Sequence, residues 1–194
     1  MASLFDNLQA QAFRADIKRG TKSSIAWFRK KVADMTKISR TKLLNDEAVK
    51  QVSTPLVGRM FMYFYDPKYK KTLPYYDRFP LIIMVKKAPG GFYGINLHYL
   101  PPVLRAKFFD KLLDYSNNNK YNKSTRFKMS YDLLNKTSKL SAFKPCYKKY
   151  LTKHIKSRIS EISATEWEID IFLPTEQFVK KGKNSIWKDS RSKI

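Results

Sequence analysis

The stretch Phe79-Pro80-Leu81-Ile82-Ile83-Met84-Val85-Lys86 decides the fold class, because it is a nearly continuous apolar run that contains β-branched side chains. Such a run is typical of a buried strand. Pro89-Gly90-Gly91 follows and predicts a turn, since glycine reaches positive φ without a Cβ clash. Phe92 to Leu97 predicts the next strand, and the segment Leu56 to Tyr65, rich in aromatic and methionine side chains, predicts one upstream. The sequence therefore predicts a three-stranded antiparallel meander.

Helical patterns flank the meander on both sides. Ser3 is suited to cap a first helix that extends to about Ile17 and stops at Gly20, and Thr21 or Ser23 is suited to cap a second. The second helix would carry an apolar stripe at Ile25, Phe28, Val32 and Met35. After the meander, helices are predicted to start at Pro101-Pro102 and to cover Ser124 to Thr137 and Pro145 to about Ile159.

The C-terminal part predicts a late strand and an arm. Residues Glu166 to Leu173 alternate between apolar and acidic side chains, which is the period of a strand that joins the meander as its fourth member. Residues Gly182 to Ile194 lack periodicity and predict an arm. Its candidate assembly residues are Ile186, Trp187 and Arg191.

The predicted fold class is thus α+β, a small antiparallel sheet packed with helices. The predicted organisation is an N-terminal helical extension at residues 1–54, an α+β core at 55–181 and the C-terminal arm at 182–194.

The charge balance points to a polyanion. The 194 residues include 39 Lys and Arg against 16 Asp and Glu, a formal net charge of +23. Self-repulsion of this size destabilises a compact chain unless counterions or a polyanion neutralise it. Nucleic acid is the first expectation. An anionic membrane surface, an acidic protein partner and a surplus that serves solubility are the alternatives.

The charge is least diluted by acids at residues 120–158, which hold 12 basic residues and one acid, Asp132. On the helix predicted from Pro145, four lysines would share one face opposite an apolar face. A solvated helix face is the alternative, but such faces normally mix signs. Lysine predominates over arginine, and this favours phosphate contact with little sequence preference. The candidate nucleic-acid-binding residues are Lys120, Lys123, Arg126, Lys128, Lys144, Lys148, Lys149, Lys153, Lys156 and Arg158.

Catalysis has weaker support in the sequence. Glu166, Glu168 and Asp170 would share one face of the late strand, and clustered carboxylates can hold the divalent metal of a nuclease. A solvent-facing strand paired with nearby lysines is the preferred interpretation. His98 is interpreted as a structural side chain with its hydrogen bonds made, and Cys146 has no partner for a disulfide or a zinc site. The chain is expected to be no enzyme and to use no cofactor and no metal.

Three segments carry a family resemblance: Gly58 to Pro67, Leu73 to Leu81, and Gly90 to Pro102 with Arg105-Ala106 behind it. Phe143-Lys144-Pro145-Cys146 and Ile186 to Arg191 add weaker likenesses. Over roughly residues 56–194 the chain resembles virion proteins of T-even-type myophages, especially marine ones, of the DNA end protector family. The resemblance implies a late virion component that coats the ends of linear double-stranded DNA against host exonucleases.

The expected partners follow from this resemblance. They are linear double-stranded DNA and other virion proteins of the head, neck, tail or baseplate, with homo-oligomers left open and no small-molecule substrate. A tail, baseplate or neck subunit that works by protein–protein assembly is the alternative function. The N-terminus has no pattern of a secretory signal and no segment is apolar enough to span a membrane. The expected location is the host-cell cytoplasm during assembly and then the virion.

Overall fold

The structure, a computed structural model, describes residues 3–33, 35, 38–46, 49–116, 130–137 and 143–191. A six-stranded antiparallel sheet with the strand order β1-β7-β2-β4-β5-β6 forms its centre, and β3 pairs with β8 in a small second sheet. The strands are β1 Lys50–Val52, β2 Met60–Met62, β3 Tyr76–Asp77, β4 Leu81–Ala88, β5 Gly91–Asn96, β6 Tyr147–Leu151, β7 Ile159–Ile162 and β8 Phe178–Val179. The α+β class predicted from the sequence is confirmed.

The predicted meander is the middle of this sheet. Strand β4 pairs with β2 on one side, with Phe61 opposite Ile82, and with β5 on the other. Gly90 at φ +71° makes the turn between β4 and β5, a conformation that costs glycine little. Gly91 lies so close to the next strand that a Cβ atom would come within 1.8 Å of the Tyr150 carbonyl oxygen.

Two strands stand where the sequence predicted a helix. Residues from Pro145 to Ile159 were expected to be helical, but they form β6, a 3₁₀ turn at Thr152–His154 and the start of β7. Tyr150 pairs with Phe92, which places β6 on the edge of the sheet beside β5. The helix prediction is wrong because tyrosine favours a pleated, half-buried strand, and this preference outweighed the helical spacing of the lysines.

Seven helices accompany the sheet within the described ranges, and a 3₁₀ turn at Leu97–Tyr99 follows β5. They are α1 Leu4–Arg14, α2 Lys22–Ala33, α3 Arg40–Leu44, α4 Pro102–Ser116, α5 at residues 130–137, α6 Trp167–Asp170 and α7 Lys183–Arg191. The predicted cap of α1 is confirmed as a capping box, in which the Ser3 hydroxyl accepts from the Asp6 backbone and Asp6 accepts from the Ser3 backbone. Thr21 caps α2 by accepting from the Ser24 backbone N–H at 3.1 Å.

Two further predictions near the C-terminus are wrong. Residues Glu166 to Leu173 do not form a fourth strand, because Trp167–Asp170 is the short helix α6; β7 and β6 are the late strands instead. Residues beyond Gly182, expected to form an arm without regular structure, contain helix α7. Its Ile186 is fully buried in the core, so the last described helix is part of the packed domain.

The sheet has a helical face and an aromatic face. Side chains alternate along strands, so Met60, Met62, Ile83 and Ile95 join the helices in the larger core. The side chains between them form the aromatic face, which comprises Phe61, Tyr63, Tyr65, Ile82, Met84, Phe92, Tyr150 and Ile159. Helices α1 and α2 bury Phe5, Leu8 and Phe28 in the larger core together with the sheet. Within the described part of the chain, no helix has the length and apolar character of a membrane span.

Candidate nucleic-acid interface

A pocket of about 520 Å³ opens between strand β6 and the connection from β2 to β3. Half of the residues that line it are tyrosines, which come from four segments of the chain, and we call it the tyrosine pocket. They are Tyr65, Tyr69, Tyr75, Tyr76, Tyr99, Tyr147 and Tyr150. Its volume lies within the roughly 300–1,000 Å³ of typical ligand pockets.

The inner tyrosines are fixed by hydrogen bonds and ring contacts. The Tyr65 hydroxyl accepts from the Leu151 backbone N–H at 3.1 Å, and the Tyr150 hydroxyl accepts from the Asn96 amide at 3.1 Å. Their rings meet edge to face with centroids 5.0 Å apart. Burial raises the pKa of Tyr65, Tyr99 and Tyr150 above that of a free phenol. The inner wall is therefore neutral at physiological pH.

Lysine side chains lie close to the faces of two tyrosine rings of the pocket. The Lys148 ammonium lies 4.6 Å from the centre of the Tyr99 ring, and the Lys68 ammonium lies 5.0 Å from that of Tyr69. Lys149 borders the pocket as well, but its ammonium lies 6.0 Å from the ring of Tyr93, which is not part of the lining. Among the described lining residues the acid is Asp77, which is buried and paired with His98. The pocket is thus aromatic with a net positive rim.

The connection that forms one wall is held by basic side chains. Lys180 donates to the backbone carbonyls of Lys71 at 2.8 Å and Leu73 at 2.7 Å. Lys70 donates to Asp66 at 2.9 Å, and this hydrogen bond, with the charges of Lys156 and Arg78 nearby, lowers the pKa of the Asp66 carboxyl. Positive charge from distant parts of the chain is therefore concentrated beside the pocket.

A buried polar network lies beneath the tyrosine pocket and is joined to its lining through Asp77. His98 Nδ1 lies 2.7 Å from Asp77 Oδ2, and His98 Nε2 lies 3.1 Å from the Thr175 hydroxyl. Burial alone would raise the pKa of the Asp77 carboxyl, but His98 and the backbone N–H groups of Phe79 and Gln177 lower it. Because His98 is fully buried with both ring nitrogens paired, the structural interpretation of this residue is confirmed. It offers no group to a substrate.

Arg105 locks the turn behind this network. Its guanidinium is buried and donates to the carbonyl oxygens of Leu100 at 2.7 Å, Ile171 at 3.0 Å and His98 at 3.3 Å. Trp187 of α7 donates to the same His98 oxygen at 2.8 Å and covers the guanidinium at 5.6 Å from its ring. Two elements far apart in sequence are joined here.

The predicted nucleic-acid-binding residues do not share one helical face. Lys148 and Lys149 are neighbours on β6, so strand alternation turns them to opposite sides, Lys153 lies in the 3₁₀ turn and Lys156 follows it. Lys144, Lys149, Lys153, Lys156 and Arg158 are exposed, and Lys148 is half-buried in the tyrosine pocket. Lys120, Lys123, Arg126 and Lys128 lie outside the described residues. Contact of these side chains with DNA stays a prediction.

The candidate assembly residues belong to α7. Ile186 is buried, Trp187 is held by the His98 carbonyl, and Arg191 is the last residue of the helix. The contacts of Ile186 and Trp187 lie within this chain. An assembly role for these residues stays a prediction.

The three carboxylates proposed for a nuclease are not on a solvent-facing strand, and that interpretation is wrong. Glu166, Glu168 and Asp170 are all buried beside α6. Glu168 accepts from Arg19, from the Gly20 backbone and from the Ser24 hydroxyl, and Glu166 accepts from Gln9 at 2.8 Å. Glu166 and Glu168 thereby hold the N-terminal helices against the core. Across the described residues, no group of three His, Cys, Asp or Glu side chains is arranged to hold a metal.

Sequence reasoning missed the pocket-forming connection. None of residues 66–77 was among the candidate site residues, although Lys68, Tyr69, Lys70, Tyr75 and Tyr76 interleave positive charge with aromatic rings. This alternation of lysine and tyrosine, in a segment without an apolar stripe, could have predicted the site. Exposed aromatic rings beside lysines are typical of surfaces that bind nucleic acid. Tyr99 and Tyr150 complete the pocket only through the fold.

Comparison with known proteins adds one finding. A family model described as phage T4 terminal DNA protecting protein matches residues 7–192. No curated protein and no solved structure gives a significant match. The match covers nearly the whole chain, including most of α1, the complete sheet and α7.

Proposed function

The chain belongs to the phage T4 terminal DNA protecting protein family, and from this premise we propose that it binds the ends of linear double-stranded DNA and shields them from exonucleases. It acts by covering the DNA end and contacting its phosphates, with little preference for the DNA sequence. It would meet the DNA in the host-cell cytoplasm and leave in the virion.

The family match over residues 7–192 is the observation that carries this proposal. The charge supports it, because a chain with a net charge of +23 gains affinity by releasing the counterions condensed on DNA. The described contacts support it further. Lysines gather around a neutral aromatic pocket, and the carboxylates that a nuclease would need are all buried, with Glu166 and Glu168 bonded to the N-terminal part of the chain.

The decisive experiment compares DNA with and without ends. Purified protein is titrated against a labelled linear duplex, with the same sequence as an unlabelled linear or covalently closed circular competitor. We expect the linear competitor to displace the label at a much lower molar concentration, because each closed circle offers no terminus. Equal competition per base pair by both forms would contradict end binding.

Protection is measured separately with exonucleases. Linear DNA incubated with the protein should survive digestion by a 5′- or a 3′-directed exonuclease, whereas an endonuclease should cut its interior at an undiminished rate. A protein that slows both enzymes alike would be a general coating and not an end protector.

A matched pair of charge variants tests the surface. Lys149, Lys153 and Lys156 are changed together to glutamine, and the control changes three exposed lysines on helices, Lys30, Lys107 and Lys111. Both triple variants lose the same charge. We expect the first to lose more end affinity than the second, equally for every DNA sequence.

A further inference from the structure

We propose that the tyrosine pocket receives an unpaired nucleotide at the DNA end, with the base stacked on its tyrosines and the phosphate next to its lysines. This proposal rests on the proposed function and specifies which part of the DNA end the protein reads. The ligand class is a nucleotide outside the duplex, as in a frayed end or a short overhang.

The shape of the pocket supports a planar ligand. It is open on one side and walled by rings from the β2–β3 connection, the turn after β5 and strand β6. Tyr75 and Tyr99 lie 6.0 Å apart with their planes tilted by 36°, and Tyr69 stands at the rim with 61% of its surface exposed. An exposed ring at the mouth of an aromatic pocket gives a free face on which a base stacks, and every base has such a face.

The charge of the pocket selects an anion. Aromatic cages also bind quaternary ammonium groups through their ring faces. Here the ammonium groups of Lys68 and Lys148 lie beside rings of the pocket, and the acidic lining residue, Asp77, is paired with His98. A cation would be repelled by this rim. A ligand that joins an aromatic ring to a negative charge, as a nucleotide does, matches both features.

The lysines are placed for a ring and a phosphate together. The Lys68 ammonium is 5.0 Å from the Tyr69 ring and that of Lys148 is 4.6 Å from the Tyr99 ring. Each cation therefore lies within one nucleotide's length of a stacking surface. The wall is rigid on the inner side, since Tyr65 and Tyr150 are held by Leu151 and Asn96, so little ordering is needed on binding.

The test uses short duplexes that are identical except at one terminus. One is blunt, one carries a single unpaired 5′ nucleotide and one a single unpaired 3′ nucleotide, with 2-aminopurine as the unpaired base. We expect at least one overhang to bind about tenfold more tightly than the blunt duplex, because a base–aromatic stack supplies a gain of that order. We also expect its 2-aminopurine fluorescence to fall on binding.

Two variants locate the effect. Tyr69→Ala removes the exposed ring without disturbing a buried one, and Phe13→Ala removes an aromatic ring of α1 that is 86% exposed and does not line the pocket. Tyr69→Ala should abolish both the preference for the overhang and the fluorescence change. Phe13→Ala should leave both readings unchanged.

The outcomes separate this proposal from the one it rests on. If all duplexes bind equally and Tyr69→Ala changes nothing, the pocket proposal is overturned and end binding stands. If no linear duplex binds in preference to closed circles, both are overturned. An overhang preference that survives in Tyr69→Ala would also overturn the pocket proposal, because the unpaired base would then be recognised elsewhere.

Discussion

At the scale of single residues, the buried guanidinium of Arg105 shows how one side chain substitutes for regular hydrogen bonding. It satisfies carbonyl oxygens from the turn after β5 and from the end of α6. Such irregular backbone would otherwise bury unpaired acceptors. The three carbonyl oxygens are reached by three different nitrogens spread over the rigid guanidinium plane, whereas all the donors of a lysine radiate from one nitrogen.

Arg105→Lys is therefore expected to lower the free energy of unfolding by about 3 kcal/mol or more, since two charged hydrogen bonds are lost from a buried site. Urea titration followed by tryptophan fluorescence measures the change. The control is Arg59→Lys, a residue with 52% of its side chain exposed, where a change within about 0.5 kcal/mol is expected. Equal effects at both positions would contradict the role assigned to Arg105.

Asp170 makes the stability of the folded protein depend on pH. Burial, with Glu166 nearby, raises the pKa of its carboxyl to about 7, and the charge of Arg105 opposes the rise only in part. Within the described residues neither carboxylate oxygen has a hydrogen-bond partner. The folded pKa lies above the unfolded value of about 3.9, so this group favours folding below pH 4 and the benefit is lost as pH rises to about 7.

The Asp170→Asn variant should lack that contribution. Between about pH 4 and pH 7 the wild-type protein should lose on the order of 2–4 kcal/mol of stability relative to the variant. Unfolding free energies of both proteins at several pH values give the difference directly. Parallel curves across this range would show that Asp170 is ionised in the folded protein.

At the scale of elements, the close pairing of β5 with β6 depends on Gly91. A Cβ atom there would meet the Tyr150 carbonyl at 1.8 Å, and backbone cannot yield as a side chain does. Gly91→Ala should displace β6 and cost about 2 kcal/mol or more, as overpacked sites do. Gly182→Ala is the matched control, because a Cβ atom at Gly182 meets nothing within 4 Å. Thermal unfolding should separate the two variants.

The elements also show what sequence patterns reveal. The apolar run of β4, the glycine turn and the capped helices α1 and α2 were predicted, because each is determined by neighbours in the chain. The acidic residues around α6 led to the wrong prediction of a strand, because their alternation with Trp167 and Ile169 imitates a half-exposed strand. The burial of Glu168 among them depends on Arg19 and Ser24, about 150 positions away. No local pattern contains that information.

The candidate nucleic-acid interface, too, could be predicted only in part from local sequence patterns. The basic character of Lys148, Lys149, Lys153 and Lys156 was readable from composition, whereas their arrangement on a strand and a turn depended on pairing with β5. The tyrosine pocket could not be predicted as a unit, because Tyr69, Tyr99 and Tyr150 come from separate segments.

At the scale of the whole molecule, the charge surplus predicts a steep dependence of DNA affinity on salt. The logarithm of the binding constant should fall linearly with the logarithm of salt concentration, with a slope of about −0.9 per phosphate neutralised. The variant that lacks Lys149, Lys153 and Lys156 should show a slope shallower by about 0.9 for each contact removed. A slope near zero for the unaltered protein would contradict phosphate contact.

The position of β7 between β1 and β2 has a consequence for how the protein is made. Residues 159–162 must be inserted between strands formed by residues 50–52 and 60–62. The N-terminal helices cannot complete their packing until Glu168 is available to bond with Ser24. Contacts of such long separation form slowly. A ribosome must therefore release almost the entire polypeptide before the sheet closes, and folding is expected to follow synthesis and not to accompany it.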